Sequence, residues 1–436
     1  METNFTLEQL SNPDIAESET ILRKCVHCGF CNATCPTHVV LGDELDSPRG
    51  RIYLIKEMLE KAKPASNVVV KHLDRCLSCL SCMTTCPSGV NYMHLVDHAR
   101  SHIEATYRRD FSEEIYRSLL SVVLPRPLLF RYALVAAMLA RPFRLVMPKR
   151  WQRAISMVPW SLPSGSALNS LHLFPKRGKT RLRVGLLPGC VQQILAPNIN
   201  DATIRLLSRM GCEVVTTRNI GCCGALNHHL GKTSKARTQA QANIEDWTRE
   251  CEDNGLDAIV VNASGCGTMV KEYAHLFRNS TTLSKSAGLI SKLTYDVSEL
   301  LEHLGYEAAI ENKISSKISV GYHSPCSLQH GQNVKSQPQN LLSAAGFSVT
   351  EIPENHICCG SAGTYNLLQH KLSEELLQRK IANVDFLTPD LIATGNIGCI
   401  TQLGLGTDIP VLHTVELLDW AHGGPKPIAI PQAYGV

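Results

Sequence analysis

Eight of the eighteen cysteines in this 436-residue chain fall in two copies of one spacing, Cys25-x2-Cys28-x2-Cys31-x3-Cys35-Pro36 and Cys76-x2-Cys79-x2-Cys82-x3-Cys86-Pro87. Each cysteine of the second copy lies 51 residues after its counterpart in the first. Thiolates are soft ligands, and three of them spaced by two residues can wrap one face of an iron–sulfur cubane, while a fourth beside a chain-turning proline points away from it. The pattern predicts two [4Fe–4S] clusters and chemistry that moves electrons one at a time. Structural zinc closes on four ligands in separated pairs and has no use for a third cysteine after each CxxC, and disulfides need an oxidising compartment.

This spacing is that of the bacterial two-cluster ferredoxins, in which the fourth cysteine of each run ligates the other cluster. The resemblance implies that Cys25, Cys28 and Cys31 share one centre with Cys86, and that Cys76, Cys79 and Cys82 share the other with Cys35.

A second duplication fills the C-terminal half. Cys190, Cys222 and Cys223 recur 136 residues later as Cys326, Cys358 and Cys359, with Gly224 and Gly360 after the vicinal pairs, and Cys266 and Cys399 are 133 residues apart. A glycine beside two adjacent cysteines suggests close approach of the backbone to a bulky ligand. These eight cysteines are candidates for a further metal or redox centre. His323 and His330 flank Cys326, where they could ligate metal, move protons, or serve only as hydrogen bonders or surface residues. His228 and His229 carry the same alternatives. Cys212 and Cys251 have no repeat counterpart and read as packing residues. The glycines before Lys232-Thr233 lack Walker spacing, and no Gly-x-Gly-x-x-Gly follows a strand, so no flavin site is expected in this chain and hydride chemistry would need another subunit.

Around these sites the chain reads as α+β and multi-domain. It comprises an N-terminal α-helical two-cluster domain at 15–105, a basic helical connector and linker at 106–179, two α/β Cys-Cys-Gly repeats with largely parallel sheets at 180–310 and 311–422, and an extended tail at 423–436. Strands are expected at Leu182–Leu187, Glu213–Thr217, Asp257–Asn262, Ile318–Tyr322, Ser348–Ile352, Leu391–Thr394 and Pro410–His413, alternating with helical stretches such as Thr233–Asp253 and Lys371–Asp385.

At 44% hydrophobic the chain can bury a sizeable core. Its first twenty residues carry four glutamates, one aspartate and no apolar run, which predicts a cytoplasmic protein without signal peptide or anchor. Net charge is +4, yet no acidic residue occurs from Ile115 to Asn200, where thirteen Lys and Arg stand. Within that stretch Pro125–Trp160 interleaves apolar and basic residues, and its longest uncharged run, nine residues, is too short to span a bilayer. It reads either as an amphipathic segment lying on an anionic membrane face or as a helical linker packed on protein. No nucleic-acid module accompanies it.

Cys-Val-His-Cys-Gly-Phe-Cys-Asn-Ala-Thr-Cys-Pro, its second copy and the two Cys-Cys-Gly repeats together resemble the iron–sulfur subunit family of glycolate oxidase. So do Leu41-Gly42-Asp43-Glu44-Leu45 with Ser47-Pro48-Arg49-Gly50-Arg51, and Ala263-Ser264-Gly265-Cys266-Gly267. The resemblance implies an oxidoreductase complex in which FAD-binding subunits oxidise glycolate to glyoxylate and this chain passes electrons toward a quinone at the inner membrane. It also implies that the chain alone lacks hydroxy-acid oxidation activity and carries no hydroxy-acid catalytic residue. Related lactate and glycerol-3-phosphate dehydrogenase subunits, and heterodisulfide reductase subunits whose Cys-Cys-Gly half is catalytic, share the architecture. In the last group each repeat carries an extra cysteine, which is missing here beside Cys266 and Cys399, so a conventional cluster, a partial site or no iron stay open in this half. Arg49 and Arg51 either place positive charge near the clusters or pair with Asp43 and Glu44 at the surface.

Overall fold

The computed structural model describes residues 1–163, 166, 172–176, 181–217, 219–307 and 318–430. Most of the linker expected at Ser161–Lys179, the 310/311 boundary between the repeats and the end of the expected tail lie outside the described residues.

The N-terminal part is helical. Asn12, Ser47 and Ser66 cap the helices Pro13–Lys24, Pro48–Glu60 and Asn67–Asp74 through their side chains, and Pro13 and Pro48 occupy first-turn positions where their missing N–H costs nothing. With Tyr92–Thr106 these helices enclose a core that includes Leu22, Ile55, Leu73, Leu95 and Val96. The cysteine runs are the loops at the helix ends. Cys25 ends Pro13–Lys24, Cys35 precedes Pro36–Leu41, and Cys86 ends Ser81–Thr85. Both runs fold alike, because His27 and Gly29 in the first and Ser78 and Leu80 in the second, each pair 51 residues apart, adopt left-handed backbone.

Among the described residues the C-terminal half contains two sheets. The first consists of β1 (Leu173–Phe174), β2 (Leu182–Leu187), β3 (Cys212–Val215), β4 (Ala258–Val261) and β5 (Thr294–Asp296), in the order β1-β3-β2-β4-β5. The second consists of β6 (Ser319–Tyr322), β7 (Ser348–Glu351), β8 (Leu391–Thr394) and β9 (Val411–His413), in the order β7-β6-β8-β9. Every pair is parallel except β1 with β3. Without β1 the two sheets have one topology, so the cysteine repeat of the sequence is a repeat of architecture. Helices Pro197–Arg209 and Thr414–Ala421 pack between the sheets, and Val184, Leu186 and Val260 share one core with Val320, Tyr322, Leu391 and Trp420. Arg205 and Arg209 both pair with the buried Asp419 across this junction.

All seven expected strands are present, two of them to the residue, while β1 and β5 were not expected. The connector runs through Phe111–Val123, Pro127–Leu139, a 3-10 turn at Arg141–Val146 and Lys149–Ser156. Phe130, Leu134 and Val158 seat it on Ile194 of the first repeat. No helix among the described residues is long and apolar enough to cross a membrane.

Candidate functional site

The two ferredoxin-type runs interlock. Cys25, Cys28 and Cys31 line one small cavity together with Cys82 and Cys86 of the other run, and Cys76, Cys79 and Cys82 line a second with Cys35. The local sequence explains the fit. Gly29 leaves room where a Cβ would stand 2.6 Å from the Arg49 guanidinium, and a Cβ on Gly50 would stand 2.0 Å from the Glu44 carbonyl oxygen. Both cavities therefore bring together thiols of both runs, soft donors suited to an iron–sulfur cluster, and His27 also lines the first. Cys28 is exposed, whereas Cys35 and Cys76 are buried, so the first cavity opens to solvent and the second faces the protein interior.

Charge at the inner cavity favours thiolate at Cys76, while burial and the neighbouring thiols push Cys79 and Cys82 well above their ordinary range. Arg51, 1% exposed, donates to Cys35 Sγ at 3.7 Å, to Thr37 Oγ1 at 2.8 Å and to the His72 carbonyl at 2.8 Å, and pairs with the buried Asp46 at 3.3 Å. Arg100 donates to the Cys76 carbonyl at 2.6 Å. Burial disfavours ionisation of Cys76, but Arg51 and Arg100 outweigh it, assisted by the Ser78 N–H at 3.5 Å and the Tyr92 hydroxyl at 3.8 Å, and its thiol lies below its ordinary range. Of the two readings of the arginines, Arg51 takes the first. Arg49 takes both, pairing with Glu44 at 2.7 Å while lining the first cavity beside Gly29.

The cysteines of each Cys-Cys-Gly repeat come together because they follow the carboxyl ends of neighbouring parallel strands. Cys190 lies after β2, Cys222 and Cys223 after β3 and Cys266 after β4, and the second repeat places Cys326, Cys358, Cys359 and Cys399 after β6, β7 and β8 in the same way. In open α/β sheets such ends, where strand order reverses, are where ligands bind. Within each repeat the thiols lie near enough to shift one another's ionisation in sequence, Cys190–Cys222–Cys223–Cys266 and Cys326–Cys358–Cys359–Cys399. All eight line one cavity of 470 Å3, walled on other sides by Leu77 and Cys79 of the cluster domain and by Phe130, Leu134, Trp151 and Ile155 of the connector. The glycine expectation needs correcting. A Cβ on Gly224 or Gly360 would meet the Ala236 carbonyl oxygen at 2.9 Å or the Ser373 carbonyl oxygen at 2.5 Å, so these residues admit the backbone of the long helices Thr233–Asn254 and His370–Leu387 rather than a ligand.

The histidines divide. His228 and His229 face Asp97 of the helix Tyr92–Thr106, and His330 bonds Thr84 at 2.7 Å, so these hold the repeats to the cluster domain. His323 is fully buried and neither ring nitrogen has a hydrogen-bond partner. Burial, helped by Lys380, pushes it down to about 3. Cys212 lies in the core between the sheets and Cys251 packs at the edge of the first repeat's core. Sequence reasoning missed Lys380, a 1%-exposed cation beside Cys326, Cys358 and Cys359. A signal existed, since Lys380 falls on the buried stripe Leu372, Leu376, Leu377, Ile381 and Val384 of the helix His370–Leu387.

Residues 24–90 match the family described as "4Fe-4S dicluster domain", and residues 184–271 and 320–404 match that described as "Cysteine-rich domain". The chain is 40% identical over 97% of its length to the glycolate oxidase iron-sulfur subunit of Escherichia coli, covering 99% of that protein. It is 30% identical, again over 97% of its length and 99% of the relative, to a probable glycolate oxidase iron-sulfur subunit of Bacillus subtilis. Lactate utilization protein A of Bacillus licheniformis is 26% identical over 55% of this chain and 99% of that protein. Among solved structures, a hypothetical protein from Helicobacter pylori superposes with a TM-score of 0.54 at 10% identity, covering 95% of this chain and 73% of that one, a likeness of fold. With two [4Fe–4S] clusters proper to the first domain and two cysteine-rich domains after it, this chain belongs to the family of glycolate oxidase iron–sulfur subunits.

Proposed function

We propose that this chain is the electron-carrying subunit of a glycolate-oxidising complex, receiving electrons from an FAD-binding partner and delivering them toward a quinone-type acceptor. The observation that carries this reading is the near-full-length likeness to glycolate oxidase iron–sulfur subunits, joined to two cavities that each draw cysteines from both runs. Cys25, Cys28, Cys31 and Cys86 hold one cluster and Cys76, Cys79, Cys82 and Cys35 the other. When bound, the clusters supply one-electron storage and transfer. The protein supplies the surroundings. Arg51 and Arg100 offset the negative charge of the inner thiolates, the Tyr92 hydroxyl and Ser78 N–H donate to sulfur, and the packed helices exclude water. The exposed edge at Cys28 suits exchange with a partner. The connector, basic and apolar on its outer side, rests on an anionic membrane surface, near the acceptor.

The test is expression of the chain alone and together with FAD-binding subunits. Alone, the purified iron-loaded chain binds no flavin and does not reduce a dye with glycolate; together, the subunits co-purify and do. Glycolate-dependent dye reduction by the lone chain would overturn the reading, as would failure of the loaded chain to restore activity to the flavoprotein.

A further inference from the structure

The two cysteine-rich repeats share a topology and a four-thiol chain, but they differ beside it. His323 directly follows β6, and the residue 136 positions earlier, at the end of β2, is Leu187. Lys380 lies beside the thiols of the second repeat. Its counterpart 137 positions earlier is Asn243, and the same offset relates Ser373 to Ala236, the residues packed against Gly360 and Gly224. Asn243 donates to the Cys222 carbonyl at 3.2 Å and accepts from the Gly221 N–H at 2.9 Å, a neutral brace in the first repeat. The second repeat thus has an imidazole and a buried cation where the first has an alkyl chain and an amide.

The imidazole needs a partner. His323 is 0% exposed, and neither Nδ1 nor Nε2 has a hydrogen bond, although leaving buried polar atoms unpaired is costly and rare. One of its ring nitrogens lies within 4.8 Å of the sulfurs of Cys359 and Cys399, and those two sulfurs are as close to each other. Cys358, beside Cys359, and Cys326 continue the row of thiols. We propose that His323, Cys359 and Cys399 bind one transition-metal centre, so that the second repeat holds metal through mixed imidazole and thiolate ligation that the first repeat cannot supply. Soft sulfur and borderline nitrogen donors with no carboxylate suit zinc or iron and not magnesium or calcium. Lys380 offsets the negative charge of the thiolates. The site adjoins the inner ferredoxin-type cavity, since Cys79 packs in one apolar cluster with Cys326 and Cys358.

The test uses full-length protein purified anaerobically, with both cubanes loaded as judged by their electron paramagnetic resonance, and labelled with 15N-histidine. Wild type should hold either about one zinc or iron beyond the roughly eight atoms of two [4Fe–4S] clusters. Imidazole nitrogen should appear in zinc-edge scattering or as hyperfine coupling to the additional iron. His323→Leu, which installs the first repeat's residue, should lose that metal and leave the two cubane signals unchanged. His323→Cys should keep the metal and lose the nitrogen signature. A wild-type metal content no greater than two cubanes, or a His323→Leu variant with undiminished metal, overturns the assignment. Should His323→Leu fail to fold, absence of nitrogen coordination in wild type overturns it equally.

Discussion

Cys35 is the residue at which the first domain's buried charge meets its chemistry. Its sulfur receives an N–H of Arg51 at 3.7 Å and lies 3.3 Å from Thr37 Oγ1, and it lines the inner cavity formed by the other run. Asp46, fully buried, is held by Arg51 at 3.3 Å, His72 at 3.0 Å and Arg75 at 2.7 Å, so the guanidinium reaching the sulfur is itself fixed in place. Cys35→Ser keeps the shape of the side chain and removes the soft ligand. The expected outcome is loss of about four of eight iron atoms and of the resonance of the centre held by Cys76, Cys79 and Cys82, with the other centre retained. Loss of the centre held by Cys25, Cys28 and Cys31 instead would show that each run closes on itself. That both runs contribute cysteines to each of two cavities was legible, because the spacing and both prolines carry it. Arg51 was legible only as one of two alternatives, since burial decides between a surface pair and a sulfur donor.

The helix Tyr92–Thr106 is the element that docks the cluster domain on the first repeat. Asp97 pairs with His228 at 3.2 Å, Glu104 with Lys232 at 2.5 Å, and His94 bridges Glu17 and Glu272 at 2.9 Å each. Burial disfavours the charged imidazole of His228, but Asp97 outweighs it and raises its pKa, while the two histidines hold the Asp97 carboxyl, also against burial, below the usual carboxylate range. A raised histidine contributes stability that is complete below its unfolded pKa of about 6.5 and is lost as pH rises through the folded value. The depressed carboxylate contributes above about 3.9 and loses that contribution as pH falls. The Asp97–His228 pair should therefore hold most tightly between about pH 4 and 6.5 and weaken toward alkaline pH; His94, raised against burial by Glu272 and Glu17, acts in the same sense, whereas His275 stacked on it and His330, both pushed down to about 4 chiefly by burial, act in the opposite one. Asp97→Asn should cost about 1.5–3 kcal/mol near pH 6 in urea unfolding and flatten the decline above it. An unchanged alkaline slope would remove Asp97 from the latch. Of the residues in these ion pairs only His228 stood out in the sequence, with hydrogen bonding among its alternatives, and its partner did not. The partners across the junction, Asp97 with His228, Glu104 with Lys232 and His94 with Glu272, are more than a hundred residues apart, and only the packing of one domain on another brings them together, whereas the parallel strands announce themselves as short apolar runs. The unexpected strands β1 and β5 have two and three residues, too few to show alternation.

At the scale of the molecule the charge is divided, with the connector basic and the remainder acidic in balance. Its outer face is also apolar: Tyr132, Leu139, Leu145, Val146 and Trp160 are each at least 70% exposed, an arrangement that water alone does not favour. The basic residues do not all serve the same end. Arg141 bonds the Val158 and Pro159 carbonyls and stacks 4.1 Å over Trp160, and Arg153 pairs with Glu374 at 3.1 Å, so substituting either would disturb the fold. Arg131, Arg144, Lys149 and Arg150 are exposed and are the ones to test. Each basic residue near an anionic bilayer contributes about 1 kcal/mol, so replacing these four by glutamine should remove about 4 kcal/mol and weaken partitioning to anionic vesicles roughly 1,000-fold. Raising salt should weaken wild-type binding in the same direction, because exposed charges are screened beyond about 10 Å at 0.1 M. Co-sedimentation with vesicles containing anionic or only zwitterionic lipid, run beside a pull-down of the FAD-binding subunits, reads both possible occupants of this face. Loss of vesicle binding with the pull-down intact is the expected outcome; loss of the pull-down with vesicle binding intact would assign the face to a protein partner, and no change in either would leave the connector as a strut between the cluster domain and the first repeat.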